Sequence, residues 1–204
     1  AMSRLFIPAV SEDATFELWV TDGTEGGTRA LIGPSADTDL RSNTDYTSLN
    51  PRRVGILDSE RAVFEATDLD TGWGLAVTDG TTEGTQVVFR LPDAPTESFS
   101  IPQSFTSLGD GRVMFAANDG THGTSLWVTD GTPEGTQHLP ALRVRSNDPL
   151  EVTPIGGGRA LVRPDSSDGA LYLTEGTASG TRRLNREDYN FDGVAPQFPR
   201  SGLP

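Results

Sequence analysis

Six residues near the C-terminal end carry the sharpest chemical signal in the chain. Asp188-Tyr189-Asn190-Phe191-Asp192-Gly193 sets side-chain oxygens at alternate positions and ends on glycine. That pattern opens calcium loops, because alternate oxygens converge on one hard cation and glycine permits the sharp bend. An EF-hand would place glutamate at the twelfth position, where this chain has Pro199, and no flanking helices are expected. The expectation is calcium held by Asp188, Asn190 and Asp192 outside an EF-hand. Asp37, Asp39, Asn43 and Asp45 form a weaker echo.

A second group of candidates lies in variable acidic turns: Ser11-Glu12-Asp13, Asp68-Leu69-Asp70, Asn118-Asp119 and Asp165-Ser166-Ser167-Asp168. A face of one charge sign attracts a cation or a basic partner, although acidic turns are also simply soluble turns. Trp73 lies between glycines in Thr71-Gly72-Trp73-Gly74. There it either fills core space left by Ala76 or stacks on a sugar or peptide. Asp68, Asp70, Trp73, Asp119 and His122 are the candidate ligand-binding residues.

Catalysis finds little support. The chain has no cysteine and no lysine, which excludes thiol catalysis, disulfides, Schiff-base chemistry and a P-loop. His122 and His138 are the only histidines, without metal-ligand spacing between them, and no G-x-S-x-G elbow occurs. Paired carboxylates leave glycosidase chemistry formally open, but a repetitive acidic chain supplies such pairs cheaply. A net charge of −13 disfavours nucleic acid and anionic membrane surfaces. No apolar stretch approaches the roughly 20 residues of a membrane span. No leader-like segment stands at the N-terminus, which leaves a mature, trimmed or cytosolic form open.

The elements that position these residues follow from a repeat. Leu18-Trp19-Val20-Thr21-Asp22-Gly23-Thr24 recurs as Leu75–Thr81, Leu126–Thr132 and Leu171–Thr177, each followed by Gly-Thr. The acidic residue falls at Asp22, Asp79, Asp130 and Glu175, at spacings of 57, 51 and 45. From Glu175 through both chain ends to Asp22 is another 51 residues. A proline precedes Arg61, Arg112 and Arg159 by ten residues, and each arginine opens an apolar run. Arg4 opens the fourth run, and its proline counterpart is Pro196, at the other end of the chain.

Within one unit the third copy predicts strands over 103–108, 112–117 and 125–129, with a fourth beginning at 137–139. Short strands separated by Gly-rich turns at ~50-residue spacing match propeller blades. The expected fold is all-β: one domain over 1–204, a four-bladed β-propeller with four antiparallel strands per blade. The blades span about 194–204 plus 3–33, 48–90, 100–142 and 148–185. Pairing of the N- and C-terminal strands closes the ring and removes exposed edges. Half of an eight-bladed ring made by two chains is the alternative.

At each motif the acidic side chain is expected to accept backbone N–H groups downstream, with glycine supplying a positive φ. Arg4, Arg61, Arg112 and Arg159 are expected to pair with Asp22, Asp79, Asp130 and Glu175, locking strands in register. The alternative is a ring of guanidinium groups along the axis. Trp19, Trp127 and Tyr172 are expected as large rings between blades.

Glu17-Leu18-Trp19-Val20-Thr21-Asp22-Gly23-Thr24 resembles the ELWxxDGT repeat of bacterial proteins, and Ser125–Thr132 is nearly as close. The second copy has Ala76 for Trp, and the fourth has Tyr172 and Glu175 for Trp and Asp. The resemblance covers the whole chain. It implies a propeller module of a secreted or surface-associated protein, in an extracellular or periplasmic setting, and brings no catalytic residues. The expected function is a non-enzymatic binding or assembly module with a protein or carbohydrate partner. A small lectin is the second reading, and a carboxylate-dependent hydrolase the third.

Overall fold

The structure, a computed structural model, describes residues 4–10, 16–32, 53–68, 72–91, 103–143, 151–163 and 170–184. These residues form four antiparallel sheets. Sheet 1 contains β1 (Leu5–Val10), β2 (Phe16–Thr21) and β3 (Arg29–Ile32). Sheet 2 contains β4 (Val54–Ile56), β5 (Ala62–Asp68), β6 (Gly72–Thr78) and β7 (Gln86–Arg90). Sheet 3 contains β8 (Gln103–Ser107), β9 (Val113–Asn118), β10 (Thr124–Thr129) and β11 (Gln137–Arg143). Sheet 4 contains β12 (Glu151–Gly156), β13 (Arg159–Arg163), β14 (Tyr172–Thr174) and β15 (Thr181–Arg183).

Every sheet is a meander in which strands adjacent in sequence pair. The four strands expected in the third unit are present, the last running from Gln137 to Arg143. Sheet 1 shows three strands among the described residues. The strand expected for it from Pro196 onward lies outside them, as does pairing of the chain ends.

The middle strands break the alternation expected of a half-buried strand because both their faces are covered. Val113 to Ala117 and Thr124 to Thr129 are buried throughout. The sheets stack face to face in sequence order. Phe6, Leu18 and Val20 of sheet 1 meet Ala62, Phe64 and Ala76 of sheet 2. Val63, Leu75 and Val77 of sheet 2 meet Val113, Phe115 and Trp127 of sheet 3. Met114, Leu126 and Val128 of sheet 3 meet Ala160 and Val162 of sheet 4.

Volumes compensate across these interfaces. Trp127 packs at 4.7 Å from Phe89 and 6.5 Å from Phe115, with Val63 in the same cluster. Where Ala76 replaces the tryptophan, Phe6 stands at the position of Val63. The side chain of Trp73 lies outside the described residues; its backbone pairs with Thr67 across the β5–β6 hairpin.

Candidate functional site

The motif turns are self-contained. In sheet 3, Asp130 Oδ1 accepts from the Thr132 N–H at 2.9 Å and from its hydroxyl at 2.7 Å. The Thr132 hydroxyl oxygen accepts the Gly135 N–H at 3.0 Å, and the Thr136 hydroxyl donates to Thr132 O at 2.7 Å. Thr129 and Thr136 hydroxyls meet at 2.8 Å, and Gly131 N–H donates to Thr129 Oγ1 at 3.0 Å. The same bonds recur around Asp22 and Asp79. Gly131 adopts φ 86°, so the positive φ expected of the motif glycine is present. The Thr hydroxyl bonds hold the carboxyls of Asp22, Asp79 and Asp130 below the ordinary carboxylate range.

The arginines differ from expectation. Their close ion pairs are with other acids, although the charge of Arg4 still helps to lower Asp22 and Asp79, and that of Arg61 helps to lower Asp130. Arg112 pairs with Asp110 of its own preceding turn at 2.6 Å, and Arg61 with Asp58 at 2.8 Å. Toward the next sheet Arg4, Arg29 and Arg112 address backbone. Arg112 Nη1 donates to Glu175 O at 2.9 Å and Nη2 to Gly158 O at 3.2 Å. Arg4 donates to Asp79 O, and Arg29 to Gly80 O. The carboxylates of Asp22, Asp79 and Asp130 are already turned onto their own threonines, and what the Asp79 and Glu175 turns offer the neighbouring sheet is a pair of carbonyl oxygens. Arg159 is exposed.

The β9–β10 turn uses similar acceptor chemistry differently. Asp119 Oδ1 accepts the N–H groups of Thr121 at 3.0 Å and His122 at 2.8 Å. Its other oxygen lies 2.6 Å from His122 Nδ1. An ionised carboxylate only accepts, so Nδ1 carries the hydrogen and Nε2 is the acceptor of the neutral ring. Burial raises the Asp119 carboxyl, but the bonds from His122 and Thr121 outweigh it and hold the group below its ordinary range. The His122 ring lies 4.5 Å from that of His138 on β11, which in turn lies 5.1 Å from Trp127. His122 is half-exposed, while Asp119 beneath it is nearly covered.

Asp119 and His122, two of the candidate ligand residues, are thus brought together. Asp68 pairs through its backbone with Gly72, and its side chain lies outside the described residues. Asp70, Asp188, Asn190 and Asp192 lie outside them altogether, as do Asp37, Asp39, Asn43 and Asp45. Among the described residues, no three or more His, Cys, Asp or Glu converge as metal ligands.

Sequence reasoning missed His138 as a member of this cluster, since only the β10–β11 register brings it beside Trp127. It also missed Glu65, buried in β5 with Arg53 Nη1 at 3.4 Å. The available signal was a lone charge inside Ala62-Val63-Phe64-Glu65-Ala66. The two motif tryptophans also part ways. Trp19 Nε1 donates to Glu17 Oε2 at 2.8 Å. Trp127 Nε1 is buried without a hydrogen-bond acceptor among the described residues, and Ser125 stands where Glu17 does.

No family model matches this sequence. A search of curated proteins finds no relative. Among solved structures, the crystal structure of the tricorn protease is similar over 84% of this chain and 15% of that chain, at 13% identity and a TM-score of 0.38. A likeness that slight carries no argument about activity.

Proposed function

We propose that this chain is a non-enzymatic binding or assembly module, built as a four-bladed β-propeller closed by pairing of its terminal strands. The β9–β10 turn is its recognition element. The observation that carries this reading is the Asp119–His122 pair, with the His122 ring tilted against that of His138 at 4.5 Å. A covered carboxylate fixes an imidazole that is half open to solvent, whereas the carboxylates of the Asp22, Asp79 and Asp130 turns are spent on their own threonines. A ring fixed in this way presents an oriented acceptor or, when protonated, a donor to a polar partner. The partner class is a protein or a carbohydrate. The resemblance to ELWxxDGT repeats supports an extracellular, periplasmic or surface setting, and the Asp188 loop is read as a calcium site.

The test is retention of glycans and of peptides on arrays by wild type and by His122→Ala. Wild type is expected to retain one class, and His122→Ala to lose at least tenfold with an unchanged melting temperature. Equal retention by the two proteins overturns the recognition role of this turn. Glycan retention that disappears in Trp73→Ala favours the lectin reading. Adding calcium to chelated protein in the same melting experiment tests the Asp188 loop, which is abandoned if millimolar calcium causes no shift.

A further inference from the structure

Three handovers between consecutive sheets repeat one design. The motif turn of each following sheet seats on the preceding one. A Cβ on Gly131 would lie 2.7 Å from Leu57 Cδ1, 3.1 Å from Val77 Cγ2 and 3.8 Å from Arg61 Nη1. A Cβ on Gly80 would lie 3.0 Å from Val20 Cγ2 and 3.2 Å from Arg4 Cδ. One on Gly176 would lie 2.7 Å from Arg112 Nη1 and 3.3 Å from Leu108 Cδ1. The seat is therefore an apolar floor with an arginine at its rim.

Sheet 4 carries the same seat. Ile155 stands four residues before Arg159, as Leu57 stands before Arg61 and Leu108 before Arg112. Leu173 takes the place of Val20 and Val77, and Arg182 the place of Arg29. Yet Ile155 is 43% exposed, while Leu57 and Leu108 are 3% and 1% exposed. At the other end of the stack, a Cβ on Gly23 would meet nothing within 4 Å among the described residues. Leu5 and Ile7 of the same sheet are 60% and 41% exposed, whereas Ala62, Phe64, Val113, Phe115, Ala160 and Val162 at the matching positions are all 0% exposed.

We infer that the Asp22–Gly23 turn seats on Ile155 and Leu173 of the same chain, with the Arg159 guanidinium donating to the backbone oxygens of Asp22 and Gly23. The inference rests on the propeller reading and names the interface that closes it. Its ground is continuity: two complementary apolar faces are left at the ends of a stack whose three internal interfaces share one register. The same chain is the occupant because a tethered face competes at high effective concentration against any second copy. Arg159 departs from Arg61 and Arg112 in one respect. The turn before it is Gly156-Gly157-Gly158, without an aspartate, so the carbonyl oxygens of the incoming turn are the acceptors this seat supplies.

The chain has no cysteine, so a paired substitution reports directly. Gly23→Cys with Ile155→Cys is compared with Gly131→Cys with Leu57→Cys, whose geometry is established. Under mild oxidation both pairs are expected to give a disulfide within a monomer on non-reducing gels. Disulfide-linked dimers from the first pair would show a second copy as the occupant and overturn the inference. So would no crosslink from the first pair while the second forms. Arg159→Ala is expected to lower the melting temperature as Arg112→Ala does, on the order of 3 °C; no loss overturns the clasp. Neither readout involves a ligand, so a ring that closes and binds nothing refutes only the proposed function.

Discussion

Sheet 3 contains two aspartate turns that use the same acceptor chemistry to opposite ends. Asp130 gives one oxygen to the N–H and hydroxyl of Thr132, and the turn folds shut over it. Asp119 gives one oxygen to two backbone N–H groups and holds an imidazole with the other. The first turn recurs through the chain and serves the next handover. The second is described in sheet 3 alone, the matching turns of the other sheets lying outside the described residues, and it leaves its imidazole half-exposed. A repeated side chain that satisfies itself is architecture; recognition is to be sought where an anchored side chain still has a bond to give.

The largest expected effect comes from Gly135→Ala. A Cβ there would fall far inside van der Waals contact of the Asp130 carboxylate. The carboxylate must leave, and its bonds to Thr132 go with it. The expected loss is about 2–4 kcal/mol in urea denaturation. Gly123→Ala is the matched change in the outward turn. Gly123 has φ 70° and, among the described residues, nothing within 4 Å of a Cβ, so backbone strain is what opposes the methyl, at about 1 kcal/mol. If Gly123→Ala is the costlier change, the distinction between a shut turn and an open one fails.

Acid titration separates the turns less sharply. Asp130 is held low first by the Thr132 hydroxyl, against burial. For Asp119 the largest influence is burial, which raises it, and the His122 and Thr121 bonds reverse that. Both carboxyls are lower in the folded chain than in the unfolded one. Their contribution is therefore present above the ordinary carboxylate value and is lost as pH falls below about 4 toward the folded values. Melting temperature against pH is expected to fall on this acid limb, and less steeply in Asp130→Asn and Asp119→Asn than in wild type. An unchanged limb in both variants would show that neither carboxylate is coupled to folding.

The sheets were legible in the sequence because the motif strand, its turn and the arginine-led apolar run are each written four times with small variations. The Asp119–His122 pair was legible as two residues of one short turn, three positions apart. The arginine partners were not. Arg112 and the carbonyl of Glu175 lie 63 residues apart, and a motif states which residue types recur without stating that a unit hands over to its neighbour through backbone oxygens. Carboxylates looked like the natural partners; threonines had already claimed those of Asp22, Asp79 and Asp130. Trp19 and Trp127 occupy one position in the repeat, yet only Trp127 is buried, because sheet 1 stands at the end of the described stack.

The smallest expected effect sharpens the comparison most. In sheet 4 the motif turn keeps its threonine and glycine bonds: Thr174 to Thr181 at 2.7 Å, Gly176 N–H to Thr174 Oγ1 at 3.0 Å, and Gly180 N–H to Thr177 Oγ1 at 2.9 Å. Glu175 is one methylene longer than aspartate, and its carboxylate makes neither of the bonds to Thr177 that Asp130 makes to Thr132. Glu175→Asp restores the missing acceptor without touching the backbone oxygen that Arg112 holds. A gain of about 0.5–1 kcal/mol is expected, read as a higher urea midpoint at constant slope. No gain would mean that threonines and glycines alone hold the turn. The carboxylate of Asp130 would then need another role, and the line drawn between it and Asp119 would have to be drawn elsewhere.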